Sequence, residues 1–178
     1  MLRHILAGIV TGFVLVVICL TVPERMPAAI TTANSRKTAP DFTLNDSKGE
    51  PIKLSNYKGK IVLLDFWATW CHGCKTEIPW YMEFARKYKD SGLAVIGVSM
   101  DDDGWKSVKP FLEENKLNYT IVIGNADLGK LYQVGNLPVT LLIDRDGKIA
   151  DSHAGVVDKI VFENEIQTLL GPAKNSAK

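Results

Sequence analysis

Seven consecutive residues, Ile61-Val62-Leu63-Leu64-Asp65-Phe66-Trp67, are apolar except for one carboxylate, and Cys71-His72-Gly73-Cys74 follows four residues on. A continuous apolar run of this length reads as a strand buried on both faces. Residues 71–89 then predict a helix with Ile78, Met82, Ala85 and Tyr88 on one stripe, stopped by Ser91-Gly92, and residues 93–99 a second buried strand. Val108, Phe111 and Leu112 fall at helical spacing in a helix ending near Asn115. Residues 119–123 read as a short strand and 126–134 as a helix ending at Gly135. Residues 139–143 and 148–152 flank the hairpin turn Asp144-Arg145-Asp146-Gly147, and 157–170 form an amphipathic helix with Ile160, Val161, Ile166, Leu169 and Leu170 as its apolar positions. Ahead of all these, residues 41–44 and 51–54 flank a Gly-containing turn as a β-hairpin. Strands alternating with helices, then a hairpin and a last helix, predict an α/β sandwich around a mixed sheet.

The N-terminus is different in kind. Residues 5–22 carry no charge and 14 of the 18 are apolar, behind a short basic flank with Arg3. As a helix they would reach about 27 Å, close to a hydrocarbon core of about 30 Å. Residues 23–30 behind it hold no clean small-x-small cleavage site, so an uncleaved membrane anchor is preferred to a signal peptide. The positive-inside bias puts the N-terminus in the cytoplasm and the remaining chain outside the cytoplasmic membrane, on the periplasmic or extracytoplasmic side. Cys19 reads as a small hydrophobe in the run, since no small residues precede it as lipidation would require. Residues 23–39 form a linker, its polar part read as a flexible tether ending at Pro40. Residues 40–171 form one domain and 172–178 a frayed tail. Residues 1–39 carry +3 and residues 40–178 carry −2. That balance excludes a nucleic-acid binder with a basic stripe, and three cysteines in 178 residues exclude a disulfide-stapled miniprotein.

A Cys-x-x-Cys pair opening a helix directly after a buried strand is the signature of a redox dithiol. Backbone N–H groups and the positive helix end stabilise the thiolate of the first cysteine, and the second returns under the same face, buried, to resolve a mixed disulfide. The stretch from Leu64 to Pro79, with Gly135-Asn136-Leu137-Pro138-Val139-Thr140 and Leu142-Ile143-Asp144-Arg145-Asp146-Gly147-Lys148, resembles thioredoxin-like proteins, in particular the membrane-anchored TlpA/ResA/DsbE type of thiol-disulfide oxidoreductase. The resemblance covers about residues 40–170. It implies a thioredoxin fold with a mixed central sheet flanked by helices, an N-terminal β-hairpin and an inserted helix-strand unit. It also implies a redox-active disulfide between Cys71 and Cys74 with no other cofactor, and a cis bond at Pro138, where Leu137 and Pro138 dock the substrate chain.

Asp65, alone in an apolar strand, reads either as a proton relay for Cys74, which the resemblance to thioredoxins implies although the anchored relatives more often have Asn there, or as a strand-end residue reaching water. Glu77 shares a helix face with Cys74; the resemblance implicates it in the active site, and the alternative is an ordinary surface glutamate. Trp67 and Trp70 read as packing residues, Trp70 also as part of the docking surface beside His72 and Gly73. Where the anchored family usually has proline before the second cysteine, this chain has Gly73, and His72 follows the first cysteine, where its imidazolium would favour the Cys71 thiolate. Pro79 reads as a structural kink. Asp101-Asp102-Asp103-Gly104 reads as a solvated loop supplying a helix N-cap, Asp144-Arg145-Asp146-Gly147 as a turn lacking the glutamate of a calcium loop, and His153 as a surface residue; no metal site is expected. Thr69-Trp70-Cys71 lacks the Thr-x-x-Cys spacing of a peroxidatic site.

The expected function is reduction of disulfides in exported proteins such as apocytochromes c during cytochrome c maturation, resupplied by a membrane thiol-disulfide electron donor. The rivals are a disulfide oxidase or isomerase, and a protein binding copper or zinc through Cys71, His72 and Cys74.

Overall fold

The structure, a computed structural model, describes residues 30–172. The apolar run 5–22, Cys19, the first part of the linker and the tail beyond residue 172 lie outside the described residues. A two-stranded antiparallel hairpin, β1 (Thr43–Asn45) with β2 (Pro51–Lys53), precedes a five-stranded mixed sheet. The sheet comprises β3 (Ile61–Trp67), β4 (Leu93–Ser99), β5 (Thr120–Ile123), β6 (Val139–Ile143) and β7 (Ile149–Ala154), in the order β5-β4-β3-β6-β7. β3, β4 and β5 run parallel, while β6 and β7 are antiparallel to their neighbours. The helices are α1 (His72–Lys87), α2 (Trp105–Asn115), α3 (Ala126–Leu131) and α4 (Lys159–Leu170). All seven residues of β3 are buried, as its apolar composition predicts. Its alternate residues serve two cores. Val62, Leu64 and Phe66 pack with hairpin residues Phe42 and Leu54 and with Tyr132, whereas Ile61 and Leu63 face Tyr81, Phe84 and Phe162 of α1 and α4. Trp67 continues that second face against Phe111 of α2, with ring centroids 5.2 Å apart.

Four expectations change. The buried face of α1 is centred on Cys74, Glu77, Ile78, Tyr81 and Phe84, between the residues of the predicted stripe, because the helix packs on both the sheet and α4. α3 ends at Leu131, three residues early, since Gln133 adopts φ +58° and the chain leaves the helical path. α4 begins only after Asp158, whose side chain accepts from the Ile160 and Val161 N–H groups. It buries Phe162, Glu165 and Ile166 and leaves Ile160 exposed. The tether is not free over residues 30–39. Thr31 N–H donates to Ala150 O, Ile149 N–H to Lys37 O and Ala39 N–H to Gly147 O, while Arg36 pairs with Asp144 at 2.9 Å. β7 is the sheet edge, and this segment satisfies backbone groups that an edge strand would otherwise expose.

Candidate active site

The loop from β3 into α1 is held from below by Asp101. Its carboxylate accepts from the Thr69 N–H at 3.0 Å, the Thr69 hydroxyl at 2.6 Å and the Ser99 hydroxyl at 2.8 Å, and the residue is buried. The expectation of a solvated loop here is therefore corrected for Asp101. Asp103 accepts from the Ser107 hydroxyl, and Gly104 occupies the cap position of α2 without a side-chain cap. Cys71 is the N-cap of α1: Cys74 N–H donates to Cys71 Sγ at 3.1 Å, the geometry that stabilises a thiolate at a helix start. Cys71 and Cys74 are joined in a disulfide with a Cα–Cα distance of 5.3 Å. In this state the sulfurs offer a metal no thiolate.

Both cysteines are buried, not the second alone, with Cys71 5% and Cys74 1% exposed. The surface above them is made by Trp70, 69% exposed, and by His72. The Leu137–Pro138 bond is cis. Gly73 lies against Pro138: a Cβ on Gly73 would stand 3.3 Å from Pro138 Cδ and 3.0 Å from Val156 Cγ2. Its lack of a side chain therefore allows the close approach of two loops. A groove of about 670 Å³ continues from Leu137 along Asn136, Val139, Ala154 and Gly155. Pro79 lies exposed within α1, and Trp67 is fully buried as a packing residue.

The strand and the helix that flank the cysteine turn each carry a buried carboxylate, Asp65 on β3 and Glu77 on α1. Asp65 sits mid-strand, paired in register with Gly97 and Thr140, and does not reach water at a strand end. Glu77 is fully buried, so it is no surface glutamate; its Oε1 accepts the Val157 N–H at 2.8 Å. The Thr140 hydroxyl donates to Asp65 Oδ1 at 3.4 Å and lies 2.9 Å from Tyr81 OH, which leaves the phenol as donor to Thr140. Burial, and then the neighbouring charge of Glu77, hold the Asp65 pKa well above the ordinary carboxylate range, against the Thr140 hydrogen bond. Burial raises that of Glu77 too, opposed by the Val157 N–H, Tyr81 and His153. Burial and these acids push the Tyr81 and Tyr119 phenols upward, so both stay neutral, Tyr81 as the donor to Thr140. Among the described residues Glu77 Oε2, Tyr119 OH and Trp67 Nε1 have no hydrogen-bond partner. The site thus includes Asp101, Thr140, Tyr81 and Val157, which sequence reasoning missed. Asp101, the first of three consecutive aspartates, carried no signal separating it from its solvated neighbours.

A reversible bond between two cysteines at a helix start, on a sheet of this topology, makes the chain a thiol-disulfide oxidoreductase of the thioredoxin-like class. Within that class it belongs to the AhpC/TSA family, whose family model matches residues 36–152. It is similar to the thiol-disulfide oxidoreductase ResA of Geobacillus kaustophilus, with 38% identity over 74% of this chain and 76% of the relative. ResA of Bacillus subtilis is 30% identical over 93% of this chain and 94% of its own length. A thiol:disulfide interchange protein DsbE from Chlorobium tepidum superposes with a TM-score of 0.73 at 35% identity, over 76% of this chain and 97% of that one.

Proposed function

We propose that this oxidoreductase works as a reductase of disulfides in exported proteins, with apocytochromes c as the client class. The observation that carries the reading is the buried acid pair, Asp65 and Glu77, on the strand and helix that flank a disulfide whose first cysteine caps that helix. In the reduced enzyme the Cys71 thiolate attacks a client disulfide, forming a mixed disulfide and releasing one client thiolate. Cys74 gives its proton to the Asp65/Glu77 pair and attacks Cys71 Sγ, which closes the enzyme disulfide and releases the second client thiolate. An acid whose pKa is raised toward the working pH can take that proton, where an ordinary surface carboxylate could not. Trp70, His72, Gly73, Leu137 and Pro138 surround the sulfurs and supply the docking edge.

Residues 5–22 anchor the chain in the cytoplasmic membrane, with residues 40–171 as the catalytic domain on the outer side, re-reduced by a membrane thiol-disulfide electron donor. Among the described residues no helix is long and apolar enough to cross a membrane, so the anchor rests on the sequence alone. The reduction potential of the Cys71–Cys74 couple tests the direction. A value near about −270 mV, as in thioredoxin, agrees with a reductase, and one near about −120 mV, as in DsbA, overturns it in favour of an oxidant. Cys71→Ser and Cys74→Ser should each abolish turnover in insulin reduction; retained activity in both would refute the mechanism.

A further inference from the structure

A polar row crosses the sheet from Gly97 through Asp65 and Thr140 to His153, by the register of four adjacent strands. At its outer end β7 and α4 bring together three side chains that the redox chemistry does not use. His153 Nε2 lies 3.0 Å from Glu165 Oε2 and 3.3 Å from Asp151 Oδ2, and one ligand atom from each of the three residues lies within 4.8 Å of the others. Glu165 is 3% exposed, and its Oε1 is sealed from solvent without a hydrogen-bond partner, as is Asp151 Oδ2. The second Asp151 oxygen is occupied by the Ser152 N–H. One imidazole N–H cannot serve three carboxylate oxygens at once. Among the described residues no lysine or arginine pairs with either acid; His153 is their shared cationic partner. Two desolvated carboxylates beside a single imidazole donor leave lone pairs that either a shared proton or a metal cation satisfies.

We propose that Asp151, His153 and Glu165 form a binding site for a divalent transition metal of the zinc class. An imidazole with two carboxylates suits zinc, whereas calcium and magnesium take oxygen ligands. Zinc bonds of about 2.0–2.2 Å at tetrahedral angles set donors about 3.3–3.6 Å apart, so the observed 3.0 and 3.3 Å separations need only a small outward adjustment. The ring of His153 is held edge-on against Phe162, with centroids 5.3 Å apart, and both ligand-bearing elements are regular. Asp151 and His153 keep some exposure, which leaves a fourth position for water, as in zinc sites with three protein ligands. On binding, zinc takes the Nε2 lone pair and the displaced proton passes to solvent.

The test uses the full-length, tag-free chain in detergent with Cys71 and Cys74 oxidised, so that no thiolate competes. Zn²⁺ is titrated by calorimetry, with Co²⁺ as an optical probe of coordination. One equivalent should bind, at least about tenfold more weakly in Asp151→Asn and in Glu165→Gln, while His72→Gln binds as wild type. In wild type, Zn²⁺ should also shift the ring resonances of His153, a measurement that needs no variant to fold. No uptake at Zn²⁺ concentrations on the order of 100 μM, or uptake that leaves the His153 resonances unmoved, overturns the site. Either result stands apart from insulin reduction, which reports on Cys71 and Cys74.

Discussion

Asp65 allows the inner site to be tested by stability alone. It is 1% exposed, and among the described residues its side chain receives one hydrogen bond, 3.4 Å long, from Thr140. Burial, reinforced by Glu77, raises its pKa well above 3.8. For an acid, a raised folded-state pKa means that the native protein keeps a proton that the unfolded chain has lost. The stability this group contributes is therefore full below about pH 4 and is lost as pH rises from there to the folded-state value, at about 1.4 kcal/mol per pH unit for one proton. Asparagine retains Oδ1 as acceptor for Thr140 and carries no charge. Asp65→Asn should thus be more stable than wild type at neutral pH, by a margin that widens by about 1.4 kcal/mol for each unit above about pH 4 and becomes constant once Asp65 ionises. Urea denaturation of both proteins in the disulfide form, at steps between about pH 4 and pH 8, reads this margin without interference from Cys74. The difference between variant and wild type removes slopes from other groups. A margin independent of pH, or a variant less stable than wild type at pH 7, would mean that the carboxylate is ionised and satisfied in the native state, and would refute the burial argument.

Asp101→Ala leaves the Thr69 N–H, the Thr69 hydroxyl and the Ser99 hydroxyl without their acceptor, so it should cost about 1–3 kcal/mol in urea denaturation and slow insulin reduction through Thr69, two residues before Cys71. Gly73→Ala sets a Cβ 3.0 Å from Val156 Cγ2 and should lower kcat/KM for a protein disulfide; Val156→Ala removes that methyl and should restore part of the loss, a coupling that a double-mutant cycle measures. Phe162→Ala, fully buried between α4 and the Tyr81 ring, should cost about 3–5 kcal/mol, while Ile160→Ala two residues earlier should change stability by less than about 0.5 kcal/mol.

Strand positions were legible because a strand buried on both faces must be apolar throughout. β3, β4 and β6 follow such runs, broken in β3 by Asp65 and in β6 by Thr140. The cysteine pair was legible for a different reason: its chemistry depends on a helix start after such a strand, which is a local arrangement. Hairpin, turn and cysteines are all set by neighbours in sequence. Thr140 and Tyr81, by contrast, lie 75 and 16 residues from Asp65, and Val157 lies 80 from Glu77, so no local pattern links them. The helix faces were misjudged in the same places. Periodicity counts apolar residues, and a glutamate in the middle of a buried face shifts the apparent stripe away from it. That happened on α1 at Glu77 and on α4 at Glu165, both of them buried.

These two helical acids and Asp65 occupy one layer, between the sheet and helices α1 and α4, together with Tyr81, Thr140 and His153. An apolar layer would have been more easily read and more cheaply desolvated. An acidic one is stable only where each carboxylate is protonated, hydrogen-bonded or matched by a cation. Near Cys74 the neutral phenol and hydroxyl donors leave Asp65 and Glu77 short of compensation, and so ready to hold a proton. At the β7 edge Asp151 and Glu165 have the imidazole of His153 instead, and so compete for a cation. The same desolvation thus produces two different chemistries across the sheet, separated by the partner that each acid meets.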